Sequence, residues 1–145
     1  MKKLFVLCAF TSILFTACEK KTESTPATEN KSSQKIDDST SQSALDWDGT
    51  YEGVIPCADC EGIKTELTLN QDNTYTLTEE YIDKNLKVEN QGNITWTDDG
   101  NSISLKTKDD EYKRYKVGEN ILFQLDLEGN EITGALAQNY QLKKK

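Results

Sequence analysis

The stretch that decides the fold is Ile63-Lys64-Thr65-Glu66-Leu67-Thr68-Leu69-Asn70-Gln71-Asp72-Asn73-Thr74-Tyr75-Thr76-Leu77. In an extended chain Ile63, Thr65, Leu67 and Leu69 share one face, and Lys64, Glu66 and Thr68 share the other. That period of two is the mark of a half-buried strand. Asn70 to Asn73 supplies a run of turn-forming residues, and Tyr75, Leu77 and Tyr81 then resume the apolar face. The stretch reads as an antiparallel hairpin.

Outward from this hairpin the same pattern repeats. Leu86 and Val88 are followed by Ile94 and Trp96, the turn Asp98-Asp99-Gly100-Asn101, and Ile103 with Leu105. After Asp109-Asp110 come Tyr115 and Val117, then the turn Gly118-Glu119-Asn120. Ile121, Phe123, Leu125 and Leu127 predict a further strand facing the core, ended by Glu128-Gly129-Asn130. Leu136, Tyr140 and Leu142 close the series. The pattern predicts about eight short strands, with no 3.6-residue stripe and no crossover helix for a parallel sheet. The expected fold class is all-β, a small antiparallel up-and-down barrel, chosen over a sandwich because closure removes exposed edges. In that barrel the last strand, with Tyr140 and Leu142, pairs with the first, around Tyr51 and Val54. The domain is expected to span residues 46–143.

Nothing before residue 46 belongs to that core. Lys2 and Lys3 precede an apolar run from Leu4 to Phe15. About twelve residues make a helix of roughly 18 Å, too short for a bilayer core of about 30 Å. Residues 1–17 therefore read as a signal peptide. Leu14-Phe15-Thr16-Ala17-Cys18 resembles a bacterial lipobox, with small residues before the Cys and Phe15 where an aliphatic residue is usual. Cys18 is the expected lipidation site, and multiple acyl chains on it would anchor the protein stably. Residues 18–45 are expected to form a lipidated Cys and a disordered linker, because Ser, Thr, Lys, Glu, Asn, Gln and Asp bury too little to offset ordering. The linker's reach is on the order of 25–30 Å.

The 145 residues carry 17 basic and 25 acidic side chains, and losing Lys2 and Lys3 leaves a net charge of −10. No basic stripe is present, which argues against nucleic acid and against electrostatic binding to anionic lipid. The sequence holds no His, which removes the usual general base, so no hydrolytic activity is expected and the protein is read as a non-enzyme. Only one of its four Phe lies beyond the signal peptide. That modest filling for a sealed core suggests, as an alternative function, a carrier of lipid or a small apolar ligand.

The strand series is interrupted once, by Gly53-Val54-Ile55-Pro56-Cys57-Ala58-Asp59-Cys60-Glu61-Gly62-Ile63. With Cys8 in the signal peptide and Cys18 lipidated, Cys57 and Cys60 are the two remaining thiols. In an oxidising envelope such a pair tends toward a disulfide. A closed zinc site is disfavoured, since there is no His and no second CxxC. Two thiolates suit Cu(I), and the only Met is Met1, which leaves no methionine-rich copper site. Thioredoxin-type chemistry places CxxC at the start of a helix, whereas here a strand period begins at Ile63. The residues alone leave a tied turn, a soft-metal site and a redox pair open.

Trp47-Asp48-Gly49-Thr50-Tyr51-Glu52-Gly53-Val54-Ile55-Pro56-Cys57-Ala58-Asp59-Cys60-Glu61-Gly62-Ile63-Lys64-Thr65-Glu66-Leu67-Thr68-Leu69 closely resembles the opening of the NlpE family of outer-membrane, copper-homeostasis lipoproteins. The run from Asp72 through Tyr75 to Tyr81, and the ending Asn139-Tyr140-Gln141-Leu142-Lys143, fit the family's N-terminal domain as well. P-C-A-D-C-E-G-I is far more specific than a bare CxxC. The resemblance covers roughly residues 47–143 and implies a lipocalin-like barrel on a lipid anchor in the outer membrane, expected on the periplasmic leaflet. It further implies a role in copper resistance and in signalling envelope stress to the Cpx two-component system and its sensor kinase. Cys57 and Cys60 are implicated in metal or redox response, with Cu(I) as the implied ion. Longer family members add a C-terminal OB-fold domain with its own cysteine pair, which these residues do not include.

Overall fold

The computed structural model describes residues 39–145. The expected signal peptide, Cys18 and most of the expected linker lie outside those residues. Eight strands follow a short helix α1 (Ser41–Ala44): β1 (Gly49–Ile55), β2 (Ile63–Leu69), β3 (Thr74–Tyr81), β4 (Leu86–Trp96), β5 (Ser102–Lys106), β6 (Tyr112–Gly118), β7 (Ile121–Gln124) and β8 (Gln141–Lys144). Each pairs antiparallel with the next, and β8 returns to β1, so the sheet is a closed barrel. The all-β fold and the first-to-last closure are as the sequence predicts.

The turns form where Asn and Asp tolerate a left-handed backbone. Asn73, Asp83, Asn85, Asp110 and Asn120 all have φ between 48° and 69°. At the seam, Tyr51 faces Lys144 and Glu52 faces Lys143. Gly53 permits this approach: a Cβ there would lie 2.5 Å from the Gln141 carbonyl oxygen and 3.0 Å from Leu142 Cδ2. Beyond the last pair, the Lys145 N–H donates to the Thr50 carbonyl at 2.9 Å.

Inside, Leu67, Leu69, Leu77, Ile103, Leu105, Leu122 and Leu142 pack with three tyrosines, Tyr51, Tyr75 and Tyr115, all 1% exposed or less. Tyrosine thus supplies the bulk that a count of Phe misses. The Tyr51 hydroxyl donates to the Trp47 carbonyl at 2.8 Å, and the Tyr75 hydroxyl to the Lys106 carbonyl at 2.5 Å. Burial pushes the Tyr51 phenol up to about 12, helped by the Asp46 and Asp48 charges. Two charged residues also face inward. Glu79, 5% exposed, accepts from Lys113 Nζ at 2.6 Å across the barrel.

Two expectations are corrected. In β7 the inward residue is Leu122, whereas Ile121 and Phe123 turn outward and Leu127 is exposed. The cause is register: a two-residue turn sets Gly118 opposite Ile121, so the inward Val117 faces Leu122. Phe123 instead lines an outer depression together with Ile132, Ala137 and Tyr140 of the long β7–β8 connection. The second correction concerns residues 40–45, expected as linker. Thr40 caps α1 with a reciprocal bond to Ser43, and Ser41 is fixed by Asn101 Oδ1 (2.9 Å) and by the Val117 carbonyl (2.8 Å). Polar composition hides this segment because it docks by hydrogen bonds rather than by apolar burial.

The alternation of strand directions gives the barrel two ends. Connections 70–73, 97–101 and 119–120 lie at the lower end together with α1, which bonds to Gly100 and Asn101. Connections 56–62, 82–85, 107–111 and 125–140 lie at the upper end. Among the described residues, the exposed large apolar side chains are Val54, Leu86, Tyr112, Leu127 and Leu136, all in or beside upper connections.

Candidate functional site: the cysteine loop

Pro56 ends β1, since it has no N–H to continue the ladder. The chain resumes a strand at Ile63, paired with Ile55, so residues 56–62 form one hairpin loop at the upper end. Gly62 lets the loop turn in tightly; a Cβ at that position would lie 2.7 Å from Val54 Cγ1. Its carbonyl accepts the Ile82 N–H at 3.0 Å, which docks the β3–β4 turn against the loop. A second tie joins the same two segments, an ion pair between Lys84 Nζ and Asp59 Oδ2.

Cys57 and Cys60, both half-buried, are joined by a disulfide with 5.3 Å between their Cα atoms. Asp59 Oδ1 lies 3.5 Å from Cys57 Sγ, and the Gly62 carbonyl 3.3 Å from Cys60 Sγ. A disulfide has no S–H, so these are contacts; in the dithiol the same oxygens stand ready to accept thiol protons. The Lys84 ammonium, by hydrogen bond and charge, holds the Asp59 carboxyl below its ordinary 3.8. Around the loop a shallow depression is lined by Ala58, Asp59, Cys60, Glu61, Asp83 and Lys84.

Donor atoms of Cys57, Asp59 and Cys60 lie within 4.8 Å of one another. As a disulfide the sulfurs are not thiolates and hold no metal ion. Reduced, two adjacent thiolates fit Cu(I), with one carboxylate as the nearest oxygen donor. Strand β2 starts three residues after Cys60, and among the described residues no helix N-terminus faces the sulfurs, so the setting differs from a thioredoxin-type pair. The sequence brings Cys57, Asp59 and Cys60 to notice; it gives no such notice of Lys84, which lies 24 residues after Cys60. The available signal was the Ile82-Asp83-Lys84-Asn85 turn, which an up-and-down barrel places beside the first loop.

This barrel and loop match a family model. Residues 51–135 match the NlpE N-terminal domain. The chain belongs to the NlpE N-terminal domain family. It is 34% identical over 95 residues to lipoprotein NlpE of Escherichia coli K12, covering 65% of this chain and 39% of that protein. A crystal structure of a candidate lipoprotein from Shewanella oneidensis is 50% identical, with a TM-score of 0.67 over 73% of this chain and 95% of that one. The crystal structure of the Cpx pathway activator NlpE from Escherichia coli is 32% identical, with a TM-score of 0.50 over 60% of this chain and 46% of its own. The chain thus spans less than half the length of the Escherichia coli protein. The family assignment rests on the barrel, and Cys57 and Cys60 lie within the matched residues.

Proposed function

We propose that the chain is a non-enzymatic envelope lipoprotein, anchored through lipid on Cys18 to the periplasmic leaflet of the outer membrane. Its barrel takes Cu(I) on the reduced Cys57–Cys60 pair and contributes to envelope-stress signalling of the Cpx type through a sensor kinase. The observation that carries this reading is the cysteine pair itself, accessible on a loop of an NlpE-family barrel with a carboxylate beside it. The solved Escherichia coli relative, a Cpx pathway activator, supports the signalling part. The described chain enters the barrel at the lower end, which leaves the cysteine loop at the end away from that entry.

Copper binding requires the dithiol. A dithiol reductant supplies two electrons and two protons to the Cys57–Cys60 disulfide and is itself oxidised to a disulfide. Cu(I) then displaces the two thiol protons. The carrier reading meets a barrel interior occupied by Tyr51, Tyr75 and Tyr115, so the cysteine loop is the better site.

The test is an anaerobic titration of reduced protein with Cu(I) against a chromophoric chelator, beside a Cys57→Ser, Cys60→Ser double variant. The wild type should bind one Cu(I) and the double variant none. Equal affinity in the two would remove copper from this loop.

A further inference from the structure

We infer that Lys84 sets the metal selectivity of the cysteine loop, by engaging the Asp59 carboxylate that a divalent ion needs and leaving a two-thiolate site for Cu(I). The inference rests on the copper reading above and names what tunes it.

Asp59 is the third donor near the two sulfurs, and its two oxygens are divided. Oδ1 faces Cys57 Sγ at 3.5 Å, while Oδ2 is taken by Lys84 Nζ. Lys84 is not a loosely placed surface cation. It sits in a turn whose flanking residues Asp83 (φ 69°) and Asn85 (φ 48°) are left-handed, and its own N–H donates to the Tyr81 carbonyl at 3.2 Å. The Ile82 N–H bond to Gly62 then fixes that turn against the cysteine loop. The ammonium is therefore delivered to Asp59 by two backbone contacts independent of the ion pair.

Metal chemistry gives this placement a consequence. Cu(I) is soft and is satisfied by two thiolates, so it makes no demand on the carboxylate. Zn(II) takes four ligands and accepts carboxylate oxygen, so a Cys57–Cys60 pair needs Asp59 to approach a stable set. Oδ1 alone remains open to Zn(II), on a carboxylate whose charge is already shared with the Lys84 ammonium, and that positive charge opposes a divalent ion more than a monovalent one. Glu61 and Asp83 border the same depression, but their oxygens are not in the group of donors gathered around the sulfurs.

The experiment measures Cu(I) and Zn(II) affinities by chelator competition on the reduced full chain, for wild type, Lys84→Gln, and Lys84→Gln with Asp59→Asn. Lys84→Gln should tighten Zn(II) about fivefold, the scale of a released exposed ion pair, and change Cu(I) less than about twofold. Adding Asp59→Asn should cancel the gain for Zn(II) and leave Cu(I) in place. If both metals tighten by the same factor, or the Zn(II) gain survives Asp59→Asn, Lys84 acts only through its general charge and the inference falls while copper binding stands. If wild type and the Cys57→Ser, Cys60→Ser double variant bind Cu(I) alike, the copper reading itself falls, and this inference with it.

Discussion

The two ends of the barrel are built by different means. At the lower end short connections are closed by their own side chains. Asp72 accepts the Thr74 N–H (3.0 Å) and hydroxyl (2.6 Å), and Asp99 accepts the Thr97 hydroxyl (2.6 Å) and the Asn101 N–H (3.0 Å). The α1 segment then covers this end, with Trp47 edge-on to Trp96 at 5.3 Å. At the upper end the connections are longer, and the cysteine loop, closed locally by the Cys57–Cys60 disulfide, is tied to the β3–β4 turn by a contact distant in sequence, the Lys84–Asp59 pair. The lower end is therefore part of what makes the barrel fold. The upper end can change its chemistry while the barrel persists.

The largest expected effect tests the lower end. Trp47 packs on Trp96, donates through Nε1 to the Gln42 carbonyl at 3.1 Å and offers its own carbonyl to Tyr51. Trp47→Ala removes the ring and loosens the cap over the core, and should cost about 3 kcal/mol. A denaturant-unfolding midpoint measures it. A loss below about 1 kcal/mol would mean that the cap is an ornament and that the barrel alone carries the stability.

The cysteine loop should respond on a smaller scale and only locally. The Cys57–Cys60 ring is so small that its closure contributes about 2 kcal/mol by loop entropy. The Cys57→Ser, Cys60→Ser variant should remain folded, with faster amide exchange confined to residues 56–62 and the docked turn 82–85. Exchange that accelerated in β5 and β6 as well would show that the disulfide holds the whole barrel, and would erase the contrast between the ends.

Much of this contrast was readable from residue patterns. The turn at 70–73 and the inward Thr65, Leu67, Leu69, Tyr75 and Leu77 follow from alternation and turn chemistry alone. The inward ion pair was within reach of the same rule. Glu79 continues the set Tyr75, Leu77, and Lys113 precedes Tyr115 and Val117 at the same spacing. Both are charged and so fall outside a pattern of apolar residues alone. Apolar spacing alone points to Ile121 and Phe123 as the inward residues, whereas the two-residue turn at 119–120 makes Leu122 the inward one. The site divides in the same way. Cys57, Asp59 and Cys60 announce themselves within four residues, while Lys84 reaches them only through the fold.

The smallest effect separates the ends most sharply, because it concerns why two aspartates are acidic. Asp99, in a lower turn, is held below its ordinary 3.8 first by the Thr97 hydroxyl and then by the Asn101 N–H. Asp59, in the upper loop, is lowered by Lys84. A folded pKa below the unfolded one adds stability above about pH 4 that is lost as the pH falls through the folded value, so both favour folding near neutral pH. Salt distinguishes them. At 1 M ionic strength the Debye length is about 3 Å, which screens an exposed ion pair and leaves a turn's hydrogen bonds intact. Carboxyl NMR titrations at low salt and at 1 M NaCl should therefore show Asp59 rising toward the ordinary value and Asp99 staying depressed. Should both rise together, Asp99 owes its acidity to long-range charge, and the lower end is no more self-contained than the upper.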